Sequence, residues 1–240
     1  MDDNIFQHVL DRVANAAVSD APYPHFFVEN VFPEEFYQTL LAHLPSPDLM
    51  TSLAQTEKVT KGFYLDRFIT SLGEEELLQL PFDQFLFWSP VAQFLNSEPW
   101  ISMLLNKFAE PLKNRFASQL GNINFTSTAE LLCDKTNYSI GPHTDHPVRV
   151  LTLLFYFPET TQQSHMGTSI YRPKEKTFEC EGFTHYPAER FERIYTAPFL
   201  PNSLFGFFKN THSFHGVEPI TETGVERRLM NYYLRWNHNS

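Results

Sequence analysis

The sequence predicts an α+β chain that is mainly β, with a helical N-terminal half supporting a β-rich C-terminal half. Three observations lead there. Helical apolar spacing dominates up to about residue 120. From Asn122 onward, short β-type runs alternate with Pro, Gly, Asn and Asp. The composition, with 24 Phe and 17 Pro against 9 Gly, favours aromatic strands packed face to face and joined by loops.

Taken in order, residues 3–18 read as a helix, with Ile5, Val9, Val13 and Val18 broadly on one side. Pro22-Tyr23-Pro24 breaks that pattern, and His25-Phe26-Phe27-Val28 reads as a strand. A second helix begins at Phe32-Pro33-Glu34-Glu35 and runs to Pro45. Residues 46–72 read as irregular and polar, with a short strand at Phe63-Tyr64-Leu65. Helical patterns return at 73–79, 81–96 and 98–118. Strands are then expected at 128–133, 136–140, 149–157, 168–172, 194–196, 203–208 and 227–236. The clearest is Val150–Phe157, an almost unbroken apolar run. So many short strands in about a hundred residues point to a sandwich, jelly roll or barrel.

The 240 residues read as one domain, 1–240, with 1–120 as mostly helical support and 121–240 as the β core. That length buries a substantial core without disulfides or a structural metal. The 159–196 segment is too long for a hairpin turn and is a candidate lid or substrate loop. It carries Arg172, Lys174, Arg190 and Arg193, which are candidate contacts for an anionic substrate.

The formal net charge of −10 denies the chain a general attraction to phosphate backbones or anionic lipid, so neither nucleic acid nor membrane is an expected partner. Cys133 and Cys180 are the two cysteines, and the acidic start Met1-Asp2-Asp3-Asn4 lacks the form of a signal peptide. Reduced thiols in a cytoplasmic protein are the simplest reading.

The chemistry concentrates in Pro142-His143-Thr144-Asp145-His146-Pro147. Residues i and i+2 of a strand share a face, so His143 and Asp145 can reach one metal ion. His146 would face the other way. A second imidazole completes a set of two His and one carboxylate, which binds Fe(II) and leaves positions open for substrate and O₂. His212 and His215 compete for that place, and His215 is preferred because β-type register continues beyond it. Arg227 follows twelve residues later, and a buried arginine can clamp a carboxylate with two parallel hydrogen bonds. Strand neighbours alternate, so only one of Arg227 and Arg228 can enter the metal cavity. Tyr156 could donate its hydroxyl to the same carboxylate, although core packing is the commoner fate of such an aromatic.

In this order, on a β background, the residues resemble the Fe(II)/2-oxoglutarate-dependent dioxygenases, most of all the prolyl-4-hydroxylase-like and phytanoyl-hydroxylase-like branches. The stretches Pro24–Phe36 and Ser213–Ile220, and the run Arg227-Arg228-Leu229, are also similar to that family. The resemblance implies a double-stranded β-helix (jelly-roll) core with iron at its open end. It implies His143, Asp145 and His215 as iron ligands, and Arg227 as partner of the distal carboxylate of 2-oxoglutarate. Tyr156 falls where relatives carry a supporting hydroxyl, and Tyr138 is a weaker candidate near the same pocket. Asp145 argues against the halogenase variant, in which chloride takes the place of the carboxylate. The implied activity is hydroxylation of an unactivated C–H bond of a small molecule by O₂, with release of succinate and CO₂. A cupin-type isomerase or dioxygenase without keto acid fits the same triad but leaves Arg227 without a task. A peptide or protein hydroxylase of the same superfamily is the other alternative.

Overall fold

The computed structural model describes residues 3–56, 64–182 and 184–238. The chain runs α1 (Asp3–Asn15), β1 (His25–Glu29), α2 (Glu34–Ala42), β2 (Thr51–Ser52), β3 (Arg67–Ser71), α3 (Glu74–Leu77), α4 (Phe82–Leu95), α5 (Glu98–Lys107) and α6 (Ala109–Phe116). It continues with β4 (Ile123–Lys135), β5 (Ile140–His143), β6 (Arg149–Tyr156), β7 (Thr168–Pro173), β8 (Phe191–Ala197), β9 (Ser203–Phe208), β10 (His215–Val217) and β11 (Glu226–His238). Two antiparallel sheets result. The larger has seven strands in the order β1-β9-β6-β11-β4-β3-β2, and the smaller has four in the order β5-β10-β7-β8.

The larger sheet is covered on both faces. Leu151, Leu153, Phe155, Met230, Tyr232 and Leu234 pack against the helices through Val9, Val13, Trp88, Trp100 and Leu104. Their strand neighbours Leu154, Tyr156, Leu229 and Leu132 pack on the smaller sheet through Ile170 and Val217, and on Tyr138 in the loop before β5. Double coverage explains why β6 is a near-continuous apolar run and not an alternating one.

The segment expected as one helix over 98–118 is two. Ser97 caps α5, its side chain accepting from the Trp100 amide, and Pro99 sits in the first turn. Pro111 has no amide hydrogen to donate four residues back, so the first helix stops at Lys107 and a second starts at Ala109. Of the strand expected at 63–65, Phe63 lies outside the described residues, and Tyr64 and Leu65 lead into a turn and belong to no strand. The first 120 residues are also less purely helical than expected, because β1, β2 and β3 all join the larger sheet. β1 pairs with β9 and β3 with β4, long-range choices that no local pattern encodes. The 159–196 segment likewise contains β7 and β8, paired with each other, and only 174–190 is a long connection between them. Both cysteines are free and buried, and no described helix is long and apolar enough to cross a membrane.

Candidate metal and carboxylate site

His143 is the last residue of β5 and His215 the first of β10, and the two are direct register partners. Gly216 makes that pairing possible, since a Cβ there would lie 2.4 Å from the carbonyl oxygen of Ile140. The two imidazole rings are 4.3 Å apart between centroids. Asp145 follows in the turn after β5, its Oδ1 3.9 Å from Nε2 of His215. One ligand atom from each of His143, Asp145 and His215 lies within 4.8 Å of the others, an arrangement that can hold a metal ion.

The surroundings prepare all three groups. Nδ1 of His143 donates to the Gly141 carbonyl and Nδ1 of His215 to the Ser213 carbonyl, each at 2.9 Å. Both bonds fix the tautomer that leaves Nε2 bare. Burial lowers the pKa of both rings; for His143 the nearby His215 adds to this, and for both Asp145 opposes it. The rings are therefore neutral near pH 7, as metal ligation requires. Burial by itself would raise the pKa of Asp145, but Arg149, His215, His143 and the Thr152 hydroxyl together hold it below the usual carboxylate range. Arg149 donates to its Oδ1 at 2.7 Å and Thr152 to its Oδ2 at 2.6 Å.

A cavity of 220 Å³ opens from the triad into the space between the sheets, lined by Tyr138, Ile140, Leu154, Thr168, Leu229 and Arg227 among others. Its floor is cationic. Arg227 on β11, Asp134 on β4 and Arg67 on β3 are register partners across three adjacent strands. Asp134 accepts from Arg227 at 2.7 Å and from Arg67 at 2.5 and 2.8 Å. Two guanidiniums on one carboxylate leave one uncompensated positive charge. Arg227 also donates to the Met166 carbonyl at 2.6 Å, and its remaining nitrogen is only 3.5 Å from the Thr168 hydroxyl. Among the described residues the buried Tyr138 hydroxyl has no hydrogen-bond partner, and Tyr138 lines the same cavity. An orphan donor beside a cationic floor matches the needs of a carboxylate ligand.

The other sequence-derived candidates sort clearly. Arg228 faces away from the cavity, bonded to Glu226 and to the Pro45 carbonyl. The Tyr156 hydroxyl bonds to Thr168, and Tyr156 is not among the residues lining the cavity. His146 accepts from the Val148 amide within its own turn, and His212 lies 3.5 Å from Glu179. Arg172, Arg190 and Arg193 pair with Glu192, Glu175 and Glu218, and neither they nor Lys174 line the cavity. The 174–190 connection instead contributes His185, whose ring lies 4.7 Å from that of His143 and 3.0 Å from the Tyr64 hydroxyl.

Sequence reasoning missed Arg67, Asp134, Arg149, Thr152 and His185. Arg149 reaches the site only because β6 is irregular. Leu151 pairs with Leu234, but Arg149 pairs with Arg235, so Val150 is an extra residue. Without that bulge Val150 would face the cavity, and Arg149 would turn toward the helices.

No family model matches this chain, and no curated protein is significantly similar to it in sequence. Solved structures are similar in fold. A Pseudomonas putida prolyl-4-hydroxylase is 14% identical, with TM-score 0.50 over 96% of this chain and 98% of its own. A Burkholderia pseudomallei oxidoreductase of the 2OG-Fe(II) oxygenase family is 8% identical, with TM-score 0.50 over 96% and 89%. The epimerase SnoN, in complex with Fe3+, alpha ketoglutarate and nogalamycin RO, is 12% identical, with TM-score 0.51 over 100% and 88%. The chain thus has the jelly-roll fold of the 2-oxoglutarate- and Fe(II)-dependent oxygenases.

Proposed function

We propose that this protein is an Fe(II)- and 2-oxoglutarate-dependent oxygenase that hydroxylates a C–H bond of a small molecule. The observation that carries the reading is the sharing of one cavity by a two-His, one-carboxylate triad and a buried cationic socket. His143, Asp145 and His215 would hold the metal. Arg227, supported by Asp134 and Arg67, would take the distal carboxylate of 2-oxoglutarate, with the Tyr138 hydroxyl as a further donor. Bound together, iron and the keto acid supply O₂ activation, yielding succinate, CO₂ and an oxidised substrate.

The chain's own residues do the rest. The Gly141 and Ser213 carbonyls hold both imidazoles with Nε2 toward the cavity. Arg149 and Thr152 hold Asp145 ionised and in one orientation. Ile140, Leu154, Val217 and Leu229 keep water from the interior, where each charge interaction is stronger. Tyr64 and His185, whose side chains meet at 3.0 Å, both line this cavity. A protein of the cupin type without keto acid would have no use for the socket.

The test is O₂-dependent succinate formation from 2-oxoglutarate by the purified chain with Fe(II). The expected result is turnover stimulated by some member of a small-molecule panel and abolished in His143→Ala and His215→Ala. Absence of succinate with and without every panel member counts against the reading.

A further inference from the structure

An open groove of 630 Å³ lies over the triad, and its wall is built by the same strand that builds the socket. Alternate residues of β11 run from the interior outward: Arg227, Leu229 and Asn231 line the inner cavity, then Asn231, Tyr233 and Arg235 line the groove. We propose that Arg149, Tyr233 and Arg235 form the docking site for an anionic group of the substrate, a carboxylate or a phosphate ester. This rests on the oxygenase reading and adds the substrate's chemical class to it.

Two linked features point to an anion. The first is a like-charge pair. Arg149 and Arg235 are direct cross-strand partners, a placement that is destabilising by itself. The Tyr233 ring lies under both guanidiniums, 4.1 Å from that of Arg149 and 4.7 Å from that of Arg235. Arg235 donates to the Tyr233 hydroxyl at 3.2 Å, and among the described residues it has no carboxylate partner. Among the described residues the carboxylate partner of Arg149 is Asp145, which the metal would share. The second feature is the bulge at Val150, which turns Arg149 into the groove in the first place; bulges that re-aim a side chain are frequent beside active sites.

The other charged or titratable groups facing the groove are Glu130, Arg67, His143, Asp145, His146 and His185. Glu130 pairs in register with Asn231, and Arg235 with Thr126, so Glu130 is four strand residues from Arg235 and does not neutralise it. Arg67 is spent on Asp134.

The register also gives a distance. Tyr233 pairs with Thr152, which holds Asp145, so Tyr233 marks the level of the triad. Arg235 lies two residues further out, on the order of 7 Å along the strand. The substrate's anionic group therefore sits on the order of 7 Å along the strand from the level of the metal, on the groove side away from Arg227.

The experiment is calorimetric titration of the full chain with phenylacetate, phenyl phosphate and neutral phenylacetamide. Excess 2-oxoglutarate is present throughout to occupy the socket at Arg227. At least one anion is expected to bind below about 10 mM and phenylacetamide to bind at least about tenfold more weakly. Which anion binds tells a carboxylate substrate from a phosphate. Arg235→Gln is expected to weaken the anion about tenfold, and Arg235→Lys to restore part of that loss. Binding of neither anion, equal binding of phenylacetamide, or an affinity within about twofold in Arg235→Gln overturns the proposal. The readout is independent of turnover, so failure of the oxygenase reading shows separately, in the succinate assay.

Discussion

The two ends of β11 carry arginines in opposite circumstances. At the inner end Arg227 is 1% exposed and shares Asp134 with Arg67. At the outer end Arg235 faces Arg149 across the strand pair, with an aromatic ring beneath them; Arg149 is bonded to Asp145, and among the described residues Arg235 has no carboxylate partner. Burial explains the difference. A guanidinium in the interior must be paired, because an isolated buried charge costs several kcal/mol. A guanidinium at a wet rim can wait for its partner at little cost. The inner pair is therefore part of the folded framework, whereas at the outer end Arg149 is already bonded to Asp145 and it is Arg235 that keeps its guanidinium available for a ligand.

The largest test of that contrast is Asp134→Ala, which leaves two cations facing each other in the interior. It is expected to destabilise the fold by about 3–5 kcal/mol in denaturant unfolding. Arg227→Met should cost less stability, because Arg67 still neutralises Asp134. Its main effect is expected in 2-oxoglutarate affinity, weaker by roughly 100-fold in equilibrium titration, with metal affinity changed by less than about threefold.

Next in size is a pH effect at the triad. Burial lowers the pKa of His143 and His215, so the folded chain resists protonating rings that the unfolded chain protonates near pH 6.5. The unfolded state then binds more protons, and stability falls as the pH drops from about 7 toward 5. Each ring contributes at most about 1.4 kcal/mol per pH unit. Thermal unfolding across that range, compared with His143→Gln, is expected to give a shallower slope in the variant.

Tyr138→Phe removes a buried hydroxyl that has no partner among the described residues. Stability is expected to hold or rise slightly, while 2-oxoglutarate affinity falls roughly fivefold, about 1 kcal/mol. A loss of stability with unchanged affinity would place that hydroxyl outside the socket. Smallest of all, Arg235→Gln is expected to change unfolding free energy by no more than about 0.5 kcal/mol, since the residue is exposed and its nearest charge is repulsive.

The same contrast explains what the sequence could reveal. His143 and Asp145 are legible because two-residue spacing is a local property, and His215 because β-type register continues past it. Alternation alone separates Arg227 from Arg228, though not which of them faces inward. Arg67 sits in a stretch that reads as irregular, and its task exists only through the β3–β4 register. Asp134 falls at the end of a strand that reads as finished by Cys133, whereas β4 runs to Lys135. Arg149 depends on a one-residue bulge that leaves no mark in composition or periodicity. Tyr138 and Tyr156 are both buried tyrosines of the same core cluster, and only the three-dimensional packing shows which hydroxyl is spent. The split at Pro111 was open to sequence reasoning, because a missing amide hydrogen is a local fact.

The most direct test is diffraction from a crystal of the full chain soaked anaerobically with Fe(II) and 2-oxoglutarate. The prediction is one metal ion bound by Nε2 of His143, a carboxylate oxygen of Asp145 and Nε2 of His215. The keto acid should extend from that ion to Arg227 and the Tyr138 hydroxyl, with the Arg149–Arg235 rim left clear. Metal bound elsewhere, or a keto acid lodged at the rim with Arg227 untouched, would contradict the account.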